Sequence, residues 1–185
     1  MTHYNTAWLQ DRIEKGEKID FLFFWGHTNK ANEPVGKFVF SQWHPSPFTI
    51  NKATYKTAEH WMMADKAMLF GDFYALGQIM EADTPKRAKE LGRKVKGFVS
   101  EVWDKESYQI VVEGNRHKFS QHPAFKEFLL STGDQVIVEA SPTDTIWGIG
   151  LSQNSEHAST PHQWRGRNLL GFALMQVRDI LRQKD

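Results

Sequence analysis

Apolar side chains change their spacing along the chain, and this change separates strand-like from helix-like segments. Short apolar runs in the first third of the chain predict strands over Ile19–Trp25 and Lys37–Phe40, and a hairpin over Thr49–Tyr55 that turns at Asn51-Lys52. From Thr57 onward the apolar period becomes 3.6 residues, which is typical of α-helices. The pattern therefore predicts an α+β fold in which helices dominate and the β-sheet is small.

Capping residues and glycines set the bounds of the predicted helices. Thr57 is the N-cap of a helix to about Phe70 that Gly71 ends, and Thr84-Pro85 starts a helix with proline at its first position. The other predicted elements are helices over Asp72–Ala82, Thr84 to about Val95, Asp104 (as a cap) to Phe119, Pro123 to Gly133 and Leu170–Arg182, and a strand over Val136–Ala140. We expect residues 1–18 to form an N-terminal extension and residues 19–185 to form one domain.

Composition and charge narrow the classes of function. The chain has 185 residues, of which 40% are hydrophobic, and its formal net charge is +1, so no overall field draws it onto nucleic acid or a membrane. The absence of cysteine excludes disulfides, thiolate catalysis and cysteine-ligated metals. Residues 1–18 contain no secretory apolar region, and no apolar stretch is long enough to cross a bilayer. We therefore expect a soluble cytoplasmic protein.

Sequence motifs for metals and common cofactors are missing. His117 and His122 lie five residues apart, as do His157 and His162, which is not the spacing of a helical zinc pair. Neither a GxGxxG nor a Walker sequence is present. We expect no metal and no cofactor. The basic patches are sparse, so strong nucleic-acid binding is not expected, although a modified base within nucleic acid stays open as a substrate. The sequence leaves the oligomeric state open.

One predicted helix, Ala58–Phe70, is apolar nearly all round, which indicates that it is buried. Glu59 and Lys66 nevertheless lie on one of its apolar stripes, about 10 Å apart along the helix axis. Charges in that setting are costly unless they are paired, hydrogen-bonded or next to water. Either the stripe faces solvent at both charges, or it forms the floor of a pocket. In a pocket, a partly desolvated Lys66 is a usable nucleophile and Glu59 can transfer protons.

The long irregular segment Ser141–Arg167 begins with a glycine-rich stretch that suits a nucleoside pocket. The carboxylate of Asp144 can bind ribose hydroxyls, Trp147 offers a flat face, and Gly148 and Gly150 let the backbone approach a ligand. A glycine-rich turn with a core tryptophan explains the same residues equally well.

The end of this irregular segment has two interpretations as well. Arg165, Arg167 and the backbone N–H groups before the last helix are able to hold a phosphate. Alternatively, Asn168 is a helix N-cap and the two arginines are solvated.

The order of several short motifs resembles the NADAR family, which includes the YbiA-type N-glycosidases. The motifs are Phe24-Trp25-Gly26, Ser46-Pro47-Phe48, Tyr55-x-Thr57-x-Glu59-His60, Lys66-Ala67, Gly92-Arg93, Trp103, Lys118-Phe119, Thr132-Gly133, Glu139-Ala140-Ser141-x-x-Asp144-x-x-Trp147-Gly148-x-Gly150 and Trp164-x-Gly166-x-Asn168-Leu169-Leu170-Gly171. Each motif is short, but together they span about Phe21 to Arg182 in a fixed order. The chain departs from the family at Gln42-Trp43-His44, where an Asn-Phe-Tyr-like run is more usual.

The resemblance implies an α+β, helix-dominated domain that hydrolyses N-glycosidic bonds of a small ribosylated nucleotide. It implies that Lys66 forms a Schiff base, that Glu59 is the acid and base, and that Asp144 holds ribose hydroxyls or stabilises the developing cation. Trp103 and Trp147 are expected to stack on the substrate or to wall the pocket, and Arg93, Lys118 and the Trp164–Asn168 loop are phosphate candidates. The full set of expected substrate-binding residues is Trp25, Gly26, Phe48, Arg93, Trp103, Lys118, Trp147, Gly148, Gly150, Trp164 and Asn168.

Three functions remain open at this point. The resemblance favours hydrolysis of phosphoribosylamino-pyrimidine intermediates of riboflavin biosynthesis. A second hypothesis is removal of ADP-ribose from guanine or another acceptor. A third is a non-catalytic module that binds NAD or ADP-ribose, which has no need for Glu59 and Lys66 together on one buried stripe.

Overall fold

The computed structural model describes residues 4–29 and 32–183. In chain order its elements are α1 (Thr6–Glu14), β1 (Phe21–Phe24), a 3₁₀ helix (Lys37–Phe40), β2 (Phe48–Ile50), β3 (Ala53–Tyr55), α2 (Ala58–Leu69), α3 (Phe73–Glu81), α4 (Pro85–Gly92), α5 (Ser100–Gln121), α6 (Pro123–Ser131), β4 (Val136–Glu139), a second 3₁₀ helix (Pro161–Gln163) and α7 (Leu169–Arg182). The expected α+β fold, rich in helices and poor in strands, is confirmed. No helix of the described residues has the length and apolar character needed to cross a membrane.

The described residues pack as two compact units. One unit is built from residues on both sides of the other in the sequence, within 1–40 and 124–185, and we call it the discontinuous unit. The other comprises residues 41–123 and is called the continuous unit.

The discontinuous unit is organised around two parallel strands. β1 pairs with β4 in the register Phe21↔Val136 to Phe24↔Glu139, and α7 packs against β4. The apolar run of β4 is almost entirely buried, and so are the leucines along one side of α7. At the N-terminal side, α1 contacts the second 3₁₀ helix and contributes the fully buried Leu9 to the core.

The continuous unit is built around α2, which contacts α3, α4, α5 and β3. The first seven residues of α2 are all buried, and five of them are apolar or aromatic, as expected for a helix that is apolar nearly all round; the other two are Glu59 and His60. The hairpin β2–β3 lies beside this bundle and contacts α5 through β2. Its turn residues Asn51 and Lys52 adopt φ values of 48° and 69°, the left-handed pair that a two-residue hairpin turn requires.

The predicted caps at Thr57 and Thr84 are confirmed. Each hydroxyl accepts a hydrogen bond from the backbone N–H three residues on, those of His60 and Arg87.

Two other expectations were wrong. Lys37–Phe40 is a 3₁₀ helix and not a strand, because four residues with two buried apolar side chains fit either period. Asp104 does not cap a helix: α5 already begins at Ser100, and its N-cap residue Val99 makes no side-chain cap bond. A helix start without a capping side chain gives no local sequence pattern to detect.

Candidate active site

The N-terminal turn of α2 is fixed by a buried histidine. The Thr57 hydroxyl and His60 Nδ1 are 2.8 Å apart, and His60 Nε2 lies 3.0 Å from the Ala82 carbonyl oxygen, which it reaches as a donor. Burial lowers the pKa of His60, so the neutral ring that bridges these two groups is favoured. His60 therefore ties the start of α2 to the end of α3, and this holds the residues beside it on α2 in place.

Glu59 lies in the same turn and is 4% exposed. Its backbone N–H donates to the Gln42 carbonyl oxygen at 3.0 Å. The Gln42 side chain in turn accepts a hydrogen bond from the amide of Asn115 on α5, at 2.9 Å. The carboxylate is thus carried by a turn that is anchored to a neighbouring segment and through it to α5. The alternative in which this end of the stripe faces solvent does not hold at Glu59.

Lys66 lies two turns further along the same stripe of α2 and is half-buried. Its Nζ is 4.1 Å from the ring centroid of Phe98 and 5.1 Å from that of Trp103. Burial lowers the pKa of Lys66, which increases the share of neutral amine, whereas the two ring faces attract the ammonium form. The amine therefore has a partly desolvated, aromatic environment, the kind in which a lysine becomes nucleophilic.

The other expected residues of the continuous unit lie in different settings. Trp103 is in the first turn of α5, beside Lys66. Arg93 follows α4 and is exposed, whereas Phe48 is buried in β2 against Tyr55. Lys118 is fully buried, its Nζ donates to the Ser41 carbonyl oxygen at 2.9 Å, and burial lowers its pKa to about 7. The structure therefore brings Trp103 to Lys66, and it places the Lys118 amine inside the protein.

In the discontinuous unit, Asp144 organises a tight turn. Its Oδ1 accepts hydrogen bonds from the backbone N–H groups of Ile146 and Trp147, at 2.9 and 2.8 Å. Gly148 and Gly150 follow in this turn and are buried, and a Cβ on Gly148 would lie 2.8 Å from the Glu139 carbonyl oxygen. The glycine-rich turn is thus present, with one carboxylate oxygen of Asp144 used to hold it and the side chain half-buried.

Asn168 connects this turn to the strand pair. Its backbone N–H donates to the Gly148 carbonyl, while its fully buried side chain accepts from Glu139 N–H and donates to the Ile137 carbonyl, both at 2.9 Å. It precedes α7 with φ 53° and makes no side-chain cap bond. The amide therefore binds β4 instead of capping the helix. The side chain of Trp164 also bonds within the protein, because its indole N–H donates to the Ala158 carbonyl at 2.8 Å.

Trp25 and Gly26 lie at a cavity of about 530 Å³ in the discontinuous unit. The remaining lining is polar and charged apart from Phe38, and includes His27, Asn29 and Lys37. Trp25 is 65% exposed, so its ring is open to a ligand. Within the described residues, no group of three or more His, Asp or Glu side chains is arranged to hold a metal ion.

Comparison with known proteins gives the family. The model of the NADAR domain matches residues 23–182. The chain belongs to the NADAR family. This NADAR domain is 46% identical over 168 residues to N-glycosidase R617 of Acanthamoeba polyphaga mimivirus, covering 88% of the chain and 97% of the viral protein. It is 35% identical over 153 residues to N-glycosidase Npun_R5314 of Nostoc punctiforme, covering 83% and 90% of the two chains.

A solved structure supports the fold of the NADAR domain. The NMR structure of Escherichia coli YbiA superposes with a TM-score of 0.70 at 23% identity, covering 91% of this chain and 88% of that one. Together with the names of the relatives, the family confirms the expectation of a hydrolase that acts on N-glycosyl bonds.

Sequence patterns missed three residues that shape this site. Phe98 lies in the loop before α5 and reaches Lys66 only through the tertiary fold. Gln42 and Asn115 support the turn of Glu59 from segments that are 73 residues apart. The departure of Gln42 from the usual family residue was visible in the sequence, but its partner was not.

Proposed function

We propose that this NADAR domain hydrolyses the C1′–N bond of phosphoribosylamino-pyrimidines, the intermediates of riboflavin biosynthesis, through a Schiff base on Lys66. The observation that carries the proposal is the environment of Lys66, a half-buried amine on the same helical stripe as the buried carboxylate of Glu59. An N-glycosidase of this kind needs a neutral amine at C1′ and a group that moves protons.

The proposed reaction begins when the N-ribosyl amine opens its sugar ring, which gives an imine at C1′ and a hydroxyl at the former ring oxygen. The neutral Lys66 amine adds to C1′, and the leaving nitrogen takes one proton from Glu59 and one from the lysine nitrogen, so that the C1′–N bond breaks and the aminopyrimidine departs. Lys66 is now bound to C1′ as a protonated Schiff base. The Glu59 carboxylate takes a proton from water, the resulting hydroxide adds to C1′, and collapse of the adduct releases the sugar and regenerates the amine.

Other residues have proposed roles in binding. Asp144 is proposed to hold ribose hydroxyls or to stabilise developing positive charge with Oδ2, because Oδ1 accepts two backbone hydrogen bonds. Trp103 and Trp147 are proposed to wall the substrate. Arg93 is proposed for the phosphate because it is exposed; the Lys118 amine is enclosed by protein and is left out of this role.

Borohydride trapping tests the covalent step. Sodium borohydride added during turnover should reduce the Schiff base and leave a ribosyl adduct on the peptide that contains Lys66, detected by mass spectrometry. Lys66→Met should abolish the adduct, and Lys94→Met, at an exposed lysine of the same unit, should leave it intact. Intact turnover without any adduct would mean that water attacks an oxocarbenium-like C1′ directly.

The identity of the leaving group is tested in a parallel assay. The protein is incubated with a phosphoribosylamino-pyrimidine and, separately, with ADP-ribosylated guanosine, and release of free sugar is measured. Release from the first substrate alone supports the proposal. Release from the second alone identifies an ADP-ribosyl hydrolase, and release from neither while ADP-ribose binds identifies a binding module.

A further inference from the structure

Exposed apolar side chains are concentrated on one surface of the continuous unit. Of the nine large apolar residues that are exposed among the described residues, seven fall in two short stretches of this unit, 68–74 and 98–102. They are Met68, Leu69, Phe73, Tyr74, Phe98, Val99 and Val102. We call this surface the apolar patch. Exposed apolar residues are ordinary one by one, so their importance depends on whether any of them lies next to a reactive group.

Two contacts join the stretches into one surface. The rings of Phe70 and Phe98 meet edge to face with centroids 5.3 Å apart. The Lys96 backbone N–H donates to the Asp72 side chain at 2.9 Å, which holds the loop before α5 against the start of α3. These contacts bring the turn between α2 and α3 next to the loop between α4 and α5.

Phe98 forms the inner edge of the apolar patch, where it meets Lys66. The Lys66 ammonium lies over its ring at 4.1 Å, yet 45% of Phe98 remains exposed. Gly97, at φ 70°, allows the turn that presents this ring, and the edge contact with Phe70 fixes its orientation. The ring is thus held in place next to the amine while offering open aromatic surface to solvent.

We propose that Phe98 is the residue on which the flat aminopyrimidine ring of the leaving group stacks. The proposal rests on the proposed role of Lys66. Stacking on Phe98 brings the exocyclic nitrogen of such a ring, and the C1′ bonded to it, to the side of the amine, because the Lys66 ammonium lies over the same aromatic ring. Trp103, whose ring centroid is 5.1 Å from the same amine, provides a second aromatic surface beside it.

This arrangement predicts selectivity by shape of the leaving group. A planar ring gains dispersion and electrostatic contact with the Phe98 face, whereas an acyclic alkyl amine has no π face to present. A flat ring also competes with the ammonium for the same aromatic face. Binding of the correct leaving group therefore removes a contact that favours the charged amine, which promotes the neutral form that attacks C1′.

Kinetics with matched variants test whether the leaving group stacks on Phe98. Phe98→Leu keeps apolar volume and removes the aromatic face, and Phe98→Tyr keeps the face. The control is Phe73→Leu, at a residue of the same apolar patch that is 71% exposed. It is a suitable control because, among the described residues, the Lys66 ammonium lies over the rings of Phe98 and Trp103. For a phosphoribosylamino-pyrimidine, KM should rise about tenfold in Phe98→Leu, the order that stacking contributes per base, and return in Phe98→Tyr. An N-alkyl ribosylamine 5′-phosphate, which opens to an imine in the same way but has an acyclic leaving group without a π face, should show no difference between the variants.

A binding measurement without turnover distinguishes the stacking role of Phe98 from the proposed hydrolysis reaction. Calorimetry with 2,4-diaminopyrimidine as the probe should show about tenfold weaker binding to Phe98→Leu and unchanged binding to Phe73→Leu. If that pattern holds in a protein that hydrolyses none of the tested substrates, the stacking role of Phe98 is supported and the proposed function is wrong. If Lys66 is trapped by borohydride while Phe98→Leu binds the probe and hydrolyses the substrate like the wild type, the stacking role of Phe98 is wrong. Equal losses in Phe98→Leu and Phe73→Leu would also overturn it.

Discussion

Two buried ionisable residues of the continuous unit donate hydrogen bonds to consecutive carbonyl groups, one through its side chain and the other through its backbone. The Ser41 carbonyl accepts from the Lys118 amine, and the Gln42 carbonyl accepts from the backbone N–H of Glu59. A short irregular segment thus supports both α2 and α5 at the points where they carry buried polar groups. These contacts allow separate predictions for the two side chains, one on catalysis and one on stability.

Glu59→Gln should lower kcat by about 10²–10⁴-fold, because the leaving nitrogen loses its proton donor and the Schiff base loses its base. The affinity for substrate should change much less, since the amide keeps the shape and can still accept a hydrogen bond. Steady-state kinetics with Glu101→Gln, an exposed carboxylate of α5, as the control would check this. A collapse of affinity at unchanged kcat would make Glu59 a binding residue and move the search for the acid to Asp144.

Lys118→Met should flatten the dependence of stability on pH. The folded pKa of Lys118 is about 7, below its ordinary value of 10.5, so the unfolded chain binds more protons between these values. The free energy of unfolding of the wild type should therefore rise with pH across this window, with a slope of up to about 1.4 kcal/mol per pH unit. Urea unfolding at several pH values would measure the slope in both proteins. A slope that persists in Lys118→Met but disappears in Lys94→Met would contradict this assignment.

At the scale of elements, α2 and α5 approach closely because one helical position lacks a side chain. Gly114 of α5 faces the indole ring of Trp61, whose Nε1 donates to the Ile110 carbonyl at 2.7 Å. A Cβ at Gly114 would overlap the ring, and the edge contact between Trp61 and Tyr55 leaves the ring little room to move. The glycine that weakens α5 as an isolated helix therefore stabilises the helix pair.

Gly114→Ala should destabilise the protein by about 1–3 kcal/mol, the usual cost of overpacking. The matched control is Gly77→Ala on α3, where a Cβ would meet nothing within 4 Å and φ is not positive. That change should be neutral or stabilising by up to about 1 kcal/mol through helix propensity. Thermal unfolding of both variants measures the two changes in stability. Equal changes would show that the indole ring of Trp61 moves to make room for the added methyl group.

Local chemistry explains which elements the sequence predicts correctly. Thr57, Thr84 and the Asn51-Lys52 turn are recognisable because each cap or turn involves neighbours along the chain. The stripe of Glu59 and Lys66 is predictable for the same reason, as helical periodicity puts them on one face. The approach of Phe98 to Lys66 is different, because it follows from how α2 packs against the loop before α5, and no local pattern records that packing.

At the scale of the whole molecule, α1 is an integral part of the discontinuous unit although it precedes the 23–182 match to the family. Leu9 is fully buried, and the Tyr4 hydroxyl donates to Asp179 of α7 at 2.6 Å. The segment ahead of the family domain thus adds core contacts and a link to the last helix. Few apolar residues mark it in the sequence, and one buried leucine is enough to anchor it.

Leu9→Ala should therefore lower the free energy of unfolding by about 2–5 kcal/mol, as expected for a leucine removed from a core. Asp11→Ala, on the exposed side of α1, removes only a surface ion pair with Lys15 and should change the free energy of unfolding far less than Leu9→Ala. Chemical denaturation of the two variants measures both values. Indistinguishable stabilities would mean that α1 detaches without affecting the rest of the unit.

The parallel pairing of β1 with β4 has a consequence for how the protein is made. About 110 residues separate the two strands, and the entire continuous unit is translated between them. At roughly 5–20 residues per second, the nascent β1, with its run of phenylalanines, waits on the order of ten seconds on the ribosome before its partner strand emerges. During that time the continuous unit has all of its own residues available for folding, while β1 depends on chaperones or transient contacts to keep it from aggregating.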